Sequence, residues 1–208
     1  MAIKKTVTLA IILIAASLIL QECNCKKLVL DCADTKYNFE LAVKAYPNRD
    51  SISIGDTIWF EINAPTRIQD IATNQMIDYS GTANLGSGIT FSALSAANQF
   101  TVNSVEKFNY VLINGLELRR GYSNGLGNEY QFIERNGNYV FLLGIIAKEK
   151  GTYSLVFSNS NNTYRNSDKC TKANFNIIFK NTNQHYPLSP FYIPGTNPVG
   201  GDYYFVVK

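Results

Sequence analysis

The chemistry-bearing residues of this chain are few, and their spacing is the first constraint on function. Its single histidine, His185, stands in a proline-rich stretch with Ser189 and Asp202 nearby. A Ser-His-Asp or Cys-His centre would have to use it, but no spacing fixes the three groups together, so a solvent-facing or locally hydrogen-bonded histidine is the expectation. Glu117, Glu129 and Glu134 fall in a strand-rich region. Two of them at a set separation could serve glycoside hydrolysis, although outward-facing strand charges account for them equally. Gly121, Gly125 and Gly127 make a glycine-rich loop without the Gly-Lys-Ser/Thr ending of a phosphate-binding loop. The residues therefore predict a non-enzymatic module, with no cofactor and no metal. The alternative is a small hydrolase using His185 or the strand carboxylates.

Four cysteines, Cys23, Cys25, Cys32 and Cys170, allow three complete pairings. Cys23 and Cys25 are poor mutual partners in an extended segment, since their Cα atoms lie at the limit of bridging geometry. A Cys32–Cys170 bridge is preferred, with Cys25–Cys170 and Cys25–Cys32 as the other options. It would close a loop of about 140 residues, worth on the order of 4–5 kcal/mol by chain entropy. The Cys-x-Cys-x6-Cys spacing has no histidine partner or second close cysteine pair, which argues against zinc.

What precedes these groups bears on where they act. Lys4-Lys5 and the uncharged apolar run Thr6 to Leu20 have the pattern of a secretory signal, shorter than a bilayer span. Residues 1–22 are thus expected to be a signal peptide or a membrane anchor. Cys23 directly follows and is a candidate lipid-attachment site, although Glu22 stands where lipoprotein leaders place a small residue. Cleavage near Ala15-Ala16-Ser17 and a retained anchor are the alternatives. The expected location is the cell envelope or the exterior, with the membrane as a partner.

At 208 residues, 46% hydrophobic and 17% charged, the chain suits one well-cored domain. A net charge of +3, with Lys26-Lys27 and Arg119-Arg120 the tight basic pairs beyond the leader, excludes a nucleic-acid stripe. Period-two apolar patterning supplies the elements. Phe39, Leu41 and Val43 share one face; Ile52, Ile54, Ile58, Phe60 and Ile62 share another across a bend at Gly55-Asp56. Phe108, Tyr110, Leu112, Leu116 and Leu118 form a third set, Tyr139 to Ala147 reads as a central strand, and Asn136-Gly137 predicts a type I′ hairpin. Between Ala64 and Val105 the pattern fades, with a helical turn predicted at Ala93 to Asn98. The expected organisation is a polar cysteine-containing stem over 23–36, a β-sandwich domain over 37–180, and a Pro/Gly-rich tail over 181–208 ending in a terminal strand. All strands are expected to be antiparallel and packed as two facing sheets.

Glu149-Lys150-Gly151-Thr152-Tyr153-Ser154-Leu155 resembles the turn before the penultimate strand of immunoglobulin-like sandwiches. That resemblance implies a corner role for Tyr153, with Leu155 where antibody domains carry a cysteine. The leader, the cysteine-rich start, Ser53-Ile54-Gly55-Asp56-Thr57-Ile58 and the Gly-Thr-Tyr strand together resemble uncharacterised envelope proteins or lipoproteins of Gram-negative bacteria. This implies an immunoglobulin-like sandwich at the surface or in the periplasm, with no known substrate. An exported Tyr- and Asn-rich sandwich without a nucleophile constellation is expected to bind a protein or glycan partner, and its charge predicts no nucleic acid. Tyr122, Tyr130, Trp59 and Tyr164 are the candidate contact aromatics.

Overall fold

A computed structural model describes residues 35–95, 100–102, 104–121, 127–165, 168–196 and 201–208. Asp34–Lys208 forms one compact unit. Its first half contains β1 (Thr35–Tyr46), β2 (Ser51–Ile52), β3 (Thr57–Pro65), β4 (Arg67–Gln69), β5 (Met76–Asp78), β6 (Gly86–Leu94) and β7 (Phe100–Val102). The second half continues with β8 (Phe108–Asn114), β9 (Leu116–Gly121), β10 (Gly127–Gln131), β11 (Ile133–Arg135), β12 (Asn138–Ala147), β13 (Gly151–Phe157), β14 (Ser160–Arg165), β15 (Asp168–Phe179) and β16 (Asp202–Val207).

Two seven-stranded sheets result. One runs β11-β12-β3-β1-β15-β14 with β8 also on β12, and the other runs β2-β16-β13-β6-β10-β9 with β7 also on β6. Alternation drives the layering: Phe39, Leu41 and Val43 of β1 are fully buried, as are Ile58, Phe60 and Ile62 of β3, while their neighbours in sequence face outward. Rings from the two sheets meet between them. Phe60 of β3 lies 6.0 Å from Phe157 of β13 and 5.6 Å from Tyr203 of β16, and Phe108 of β8 lies 4.9 Å from Tyr153 of β13. Each tilted or edge-on pair adds about 0.5–1.5 kcal/mol beyond burial.

The sheets are mixed, which corrects the expectation of antiparallel pairing throughout. β1 runs parallel to β15 in register Thr35↔Thr171 to Val43↔Phe179, and β16 runs parallel to β2. A parallel pair needs a long connection, and here nearly the whole domain connects β1 to β15. Period-two patterning identifies a buried face but carries no information on strand direction.

Asn136 (φ 52°) and Gly137 (φ 72°) make the tight turn between β11 and β12. The Tyr153 hydroxyl donates to the carbonyl of Glu149 at 3.0 Å, tying β13 back to the turn before it. Gly151 makes room for this corner: its φ is 157°, and a Cβ there would lie 3.1 Å from the Tyr153 ring. Three expectations fail locally. Leu116 and Leu118 are more than half exposed, because Gly115 (φ 119°) passes the chain from the edge of one sheet to the edge of the other. Ile54 lies exposed in the turn between β2 and β3. Ala93 and Leu94, where a helical turn is expected to begin, continue β6 as strand, and Ala96 to Asn98 of that expected turn lie outside the described residues.

Candidate functional site

The second sheet carries a groove of about 390 Å³ on strand-borne side chains. On β10, Asn128 and Tyr130 point into the core, so Glu129 and Gln131 face outward. β9 adds Leu118: the register shifts between Glu129↔Arg119 and Tyr130↔Glu117, a bulge that turns Leu118 toward the groove. Gly86 and Gly88 of β6 leave the centre shallow, and Asn159, Ser160 and Asn161 form the opposite wall. Below them Ser87 Oγ donates to the Ser158 carbonyl at 2.8 Å, fixing that wall to β6.

Three amides of the groove are each half engaged. Asn84 Nδ2 donates to the Tyr164 hydroxyl at 3.3 Å, Gln131 Nε2 to the Ala83 carbonyl at 2.8 Å, and Asn159 Oδ1 accepts from the Ile177 N–H at 2.9 Å. Each amide is held in place by one end while its other end keeps hydrogen-bonding capacity. Oδ1 of Asn84 and Oε1 of Gln131 remain as acceptors, and Nδ2 of Asn159 as a donor. Glu129 and Asn161 have no side-chain hydrogen bond among the described residues.

The groups singled out by sequence are dispersed. His185 is buried, its Nδ1 is 3.0 Å from the Tyr204 carbonyl, and its ring packs on Tyr203. Burial raises the Asp202 carboxyl above its ordinary range, against a hydrogen bond from Tyr204, while the Ser189 hydroxyl accepts from the Phe191 N–H. Glu117 pairs with Arg120 at 2.8 Å and stands opposite buried Tyr130, whereas Glu129 stands opposite Arg119. Partners across a ladder share a face, so Glu117 and Glu129 lie on opposite faces of the sheet. Glu134 accepts from the Gly81 N–H at 2.8 Å.

Of the contact aromatics, Tyr130 is fully buried and donates no surface, which corrects that candidacy. Trp59 lies against Gly144 on the other sheet, Tyr164 braces Asn84, and Tyr122 falls outside the described residues. A second depression, about 370 Å³, holds Arg120 5.4 Å over the Tyr110 ring and Lys148 donating to the Glu106 carbonyl. Its cations are engaged within the chain.

Gly121-Tyr122-Ser123-Asn124-Gly125 matches the Gly-x-Ser-x-Gly pattern of a nucleophile elbow. That elbow needs a strand followed by a helix, whereas the pentad here joins β9 to β10, two paired antiparallel strands. Ser123 itself lies outside the described residues.

Cys170 sits in β15 next to Thr171, whose register partner is Thr35. Cys23, Cys25, Cys32 and residues 1–22 lie outside the described residues. Among the described residues there is no cluster of three metal-ligating side chains, and no helix is long and apolar enough to cross a membrane.

No family model matches the chain, and no curated protein matches it significantly. Among solved structures it is similar to a type II cohesin domain from the cellulosome of Acetivibrio cellulolyticus, at 10% identity over 60% of this chain and 76% of that one, with a TM-score of 0.23. So loose a superposition carries no functional inference.

Proposed function

We propose that this chain is an exported, non-enzymatic binding module that takes a glycan in the groove of the second sheet. The half-engaged amides of Asn84, Gln131 and Asn159 carry this reading. A sugar presents neighbouring hydroxyls that both donate and accept, and a set of fixed amides with free donors and acceptors complements them at little ordering cost. Leu118 adds an apolar contact for the C–H face of a ring. Export rests on the leader pattern of residues 1–22, which places the domain at the envelope or outside the cell, with Cys23 as a lipid-attachment site. The Thr35↔Thr171 register supports a Cys32–Cys170 bridge, because it brings the chain three residues after Cys32 alongside the strand that holds Cys170. Such a bridge persists in an oxidising compartment.

A glycan array followed by calorimetric titration of the best hit tests the groove. Glu129→Gln combined with Asn161→Ala is expected to weaken binding at least about tenfold, or ~1.4 kcal/mol, with thermal stability unchanged. Equal affinity in the variant and the parent would reject the groove. Substrate turnover that disappears in His185→Ala would replace a binding module with a hydrolase.

A further inference from the structure

The segment Tyr186–Thr196 presents a second surface, independent of the groove and of opposite chemistry. Phe191 is 71% exposed and Ile193 65% exposed, the two most exposed large apolar side chains among the described residues. From Asn181 to Gly201 the sequence holds no Asp, Glu, Lys or Arg, and its one histidine is buried. We infer that this tip inserts Phe191 and Ile193 into the interfacial layer of a lipid bilayer.

The backbone supports lipid over a protein partner. An apolar medium penalises every unpaired N–H. Pro187, Pro190 and Pro194 carry none. The N–H groups of Leu188, Ser189, Tyr192 and Thr196 bond locally, to the carbonyls of His185 just before the segment and of Tyr186, Ser189 and Ile193 within it at 2.8–3.1 Å, and that of Phe191 bonds to Ser189 Oγ at 3.3 Å. The Thr196 hydroxyl also donates to the Ile193 carbonyl at 2.6 Å. The tip can therefore leave water with few donors stranded. It is also braced, since the Tyr186 ring lies 6.0 Å from that of Tyr204 and the Tyr204 N–H donates to the Gln184 carbonyl. Exposed Val111, Ile113, Leu116 and Leu118 show the contrast. Glu117, Arg119 and Arg120 interrupt that patch and would be costly to bury in lipid.

Two apolar side chains bind a membrane weakly and reversibly, so the depth of insertion is the decisive quantity. The test uses the full chain with phosphatidylcholine vesicles containing lipids brominated at defined acyl positions. Phe191→Trp in a Trp59→Phe background supplies a single reporter, and Ile71→Trp in the same background is the comparison. The reporter at 191 is expected to shift to the blue and to lose more than about half its emission to shallow bromines. The reporter at 71 is expected to stay unquenched, and adding Ile193→Asp is expected to abolish quenching at 191. Equal quenching of both reporters, as from a tether that merely holds the domain close, would overturn the inference. So would a reporter at 191 that ignores vesicles but shifts on addition of a purified envelope protein, which would place a protein at the tip.

Discussion

The flanks of β1 and β16 are built to different standards. Beside β1, buried polar groups are bound many times over. Asp70 is 1% exposed and accepts from the Asn38 N–H at 2.8 Å and from both the N–H and hydroxyl of Thr73 at 2.9 and 2.7 Å. The fully buried Tyr79 directs its hydroxyl at the Thr163 and Thr171 carbonyls, each 3.0 Å away, and its own carbonyl accepts from the Tyr139 hydroxyl. Beside β16, the Tyr203 hydroxyl is buried with no hydrogen-bond partner. β1 is central in its sheet whereas β16 lies one strand from an edge, flanked on its outer side by the two-residue β2; Tyr79 and Tyr203 are nevertheless both fully buried, so burial alone does not set the difference. A short strand reached by a proline-rich approach brings its apolar payload to the core while leaving polar slack. Such slack is where a domain opens first.

Removing β16 gives the largest expected effect. Tyr203, Phe205 and Val207 are buried, and β16 joins β13 to β2. At about 1.5–3 kcal/mol per buried side chain, deleting residues 203–208 removes roughly 5–9 kcal/mol, comparable to the whole stability of a typical domain. Thermal unfolding followed by circular dichroism should show no cooperative transition. A deletion variant melting like the full chain would mean that the terminal strand is dispensable and the comparison false.

The strands were unequally legible in the sequence. Phe39, Leu41 and Val43 declare β1 by alternation, and Tyr139 to Ala147 declares β12 by a continuous apolar run that matches its burial between β3 on one side and β8 on the other. In β6, Ile89 and Phe91 alternate too, but Gly86, Ser87 and Gly88 dilute the signal below recognition. Asp70 was invisible, because its importance comes from meeting Asn38, 32 residues away. The groove was readable only in fragments. Glu129 is legible as a charge, whereas Asn84 and Asn159 read as ordinary loop residues and Asn161 as an ordinary polar strand residue until β6, β10 and the start of β14 bring them to one face. Tyr130 illustrates the converse: a residue type suited to contact, placed by parity in the core.

Asp70→Asn measures how tightly the β1 flank is held, and its expected effect is intermediate. Desolvation raises the Asp70 carboxyl, but hydrogen bonds from Asn38, Thr73 and Ala72 outweigh it and hold the group below the ordinary carboxylate range. A carboxyl lowered by folding stabilises the domain above the unfolded value. That contribution fades as pH falls through this value toward the lower folded one. The substitution is expected to cost about 1–3 kcal/mol at neutral pH. Between pH 5 and 3 the variant should lose less stability than the parent. Parallel acid-denaturation curves for the two proteins would show that the clamp is not electrostatic in origin.

Tyr203→Phe probes the opposite flank and should go the other way. Burial raises the Tyr203 hydroxyl well above the ordinary tyrosine range, and no partner offsets its lost hydration. Phenylalanine keeps the ring contacts with Phe60 at 5.6 Å and Phe179 at 5.3 Å while removing the stranded polar atom. A gain of about 1 kcal/mol is expected in urea unfolding at neutral pH. Tyr79→Phe, which removes a satisfied hydroxyl, should instead lose about as much. An acid whose folded ionisation is shifted upward loses stability as pH rises above its unfolded value, so Tyr203→Phe should also flatten the alkaline fall in stability. If both tyrosine variants are destabilised equally, the hydroxyl of Tyr203 is as well bound as that of Tyr79, and the two flanks do not differ.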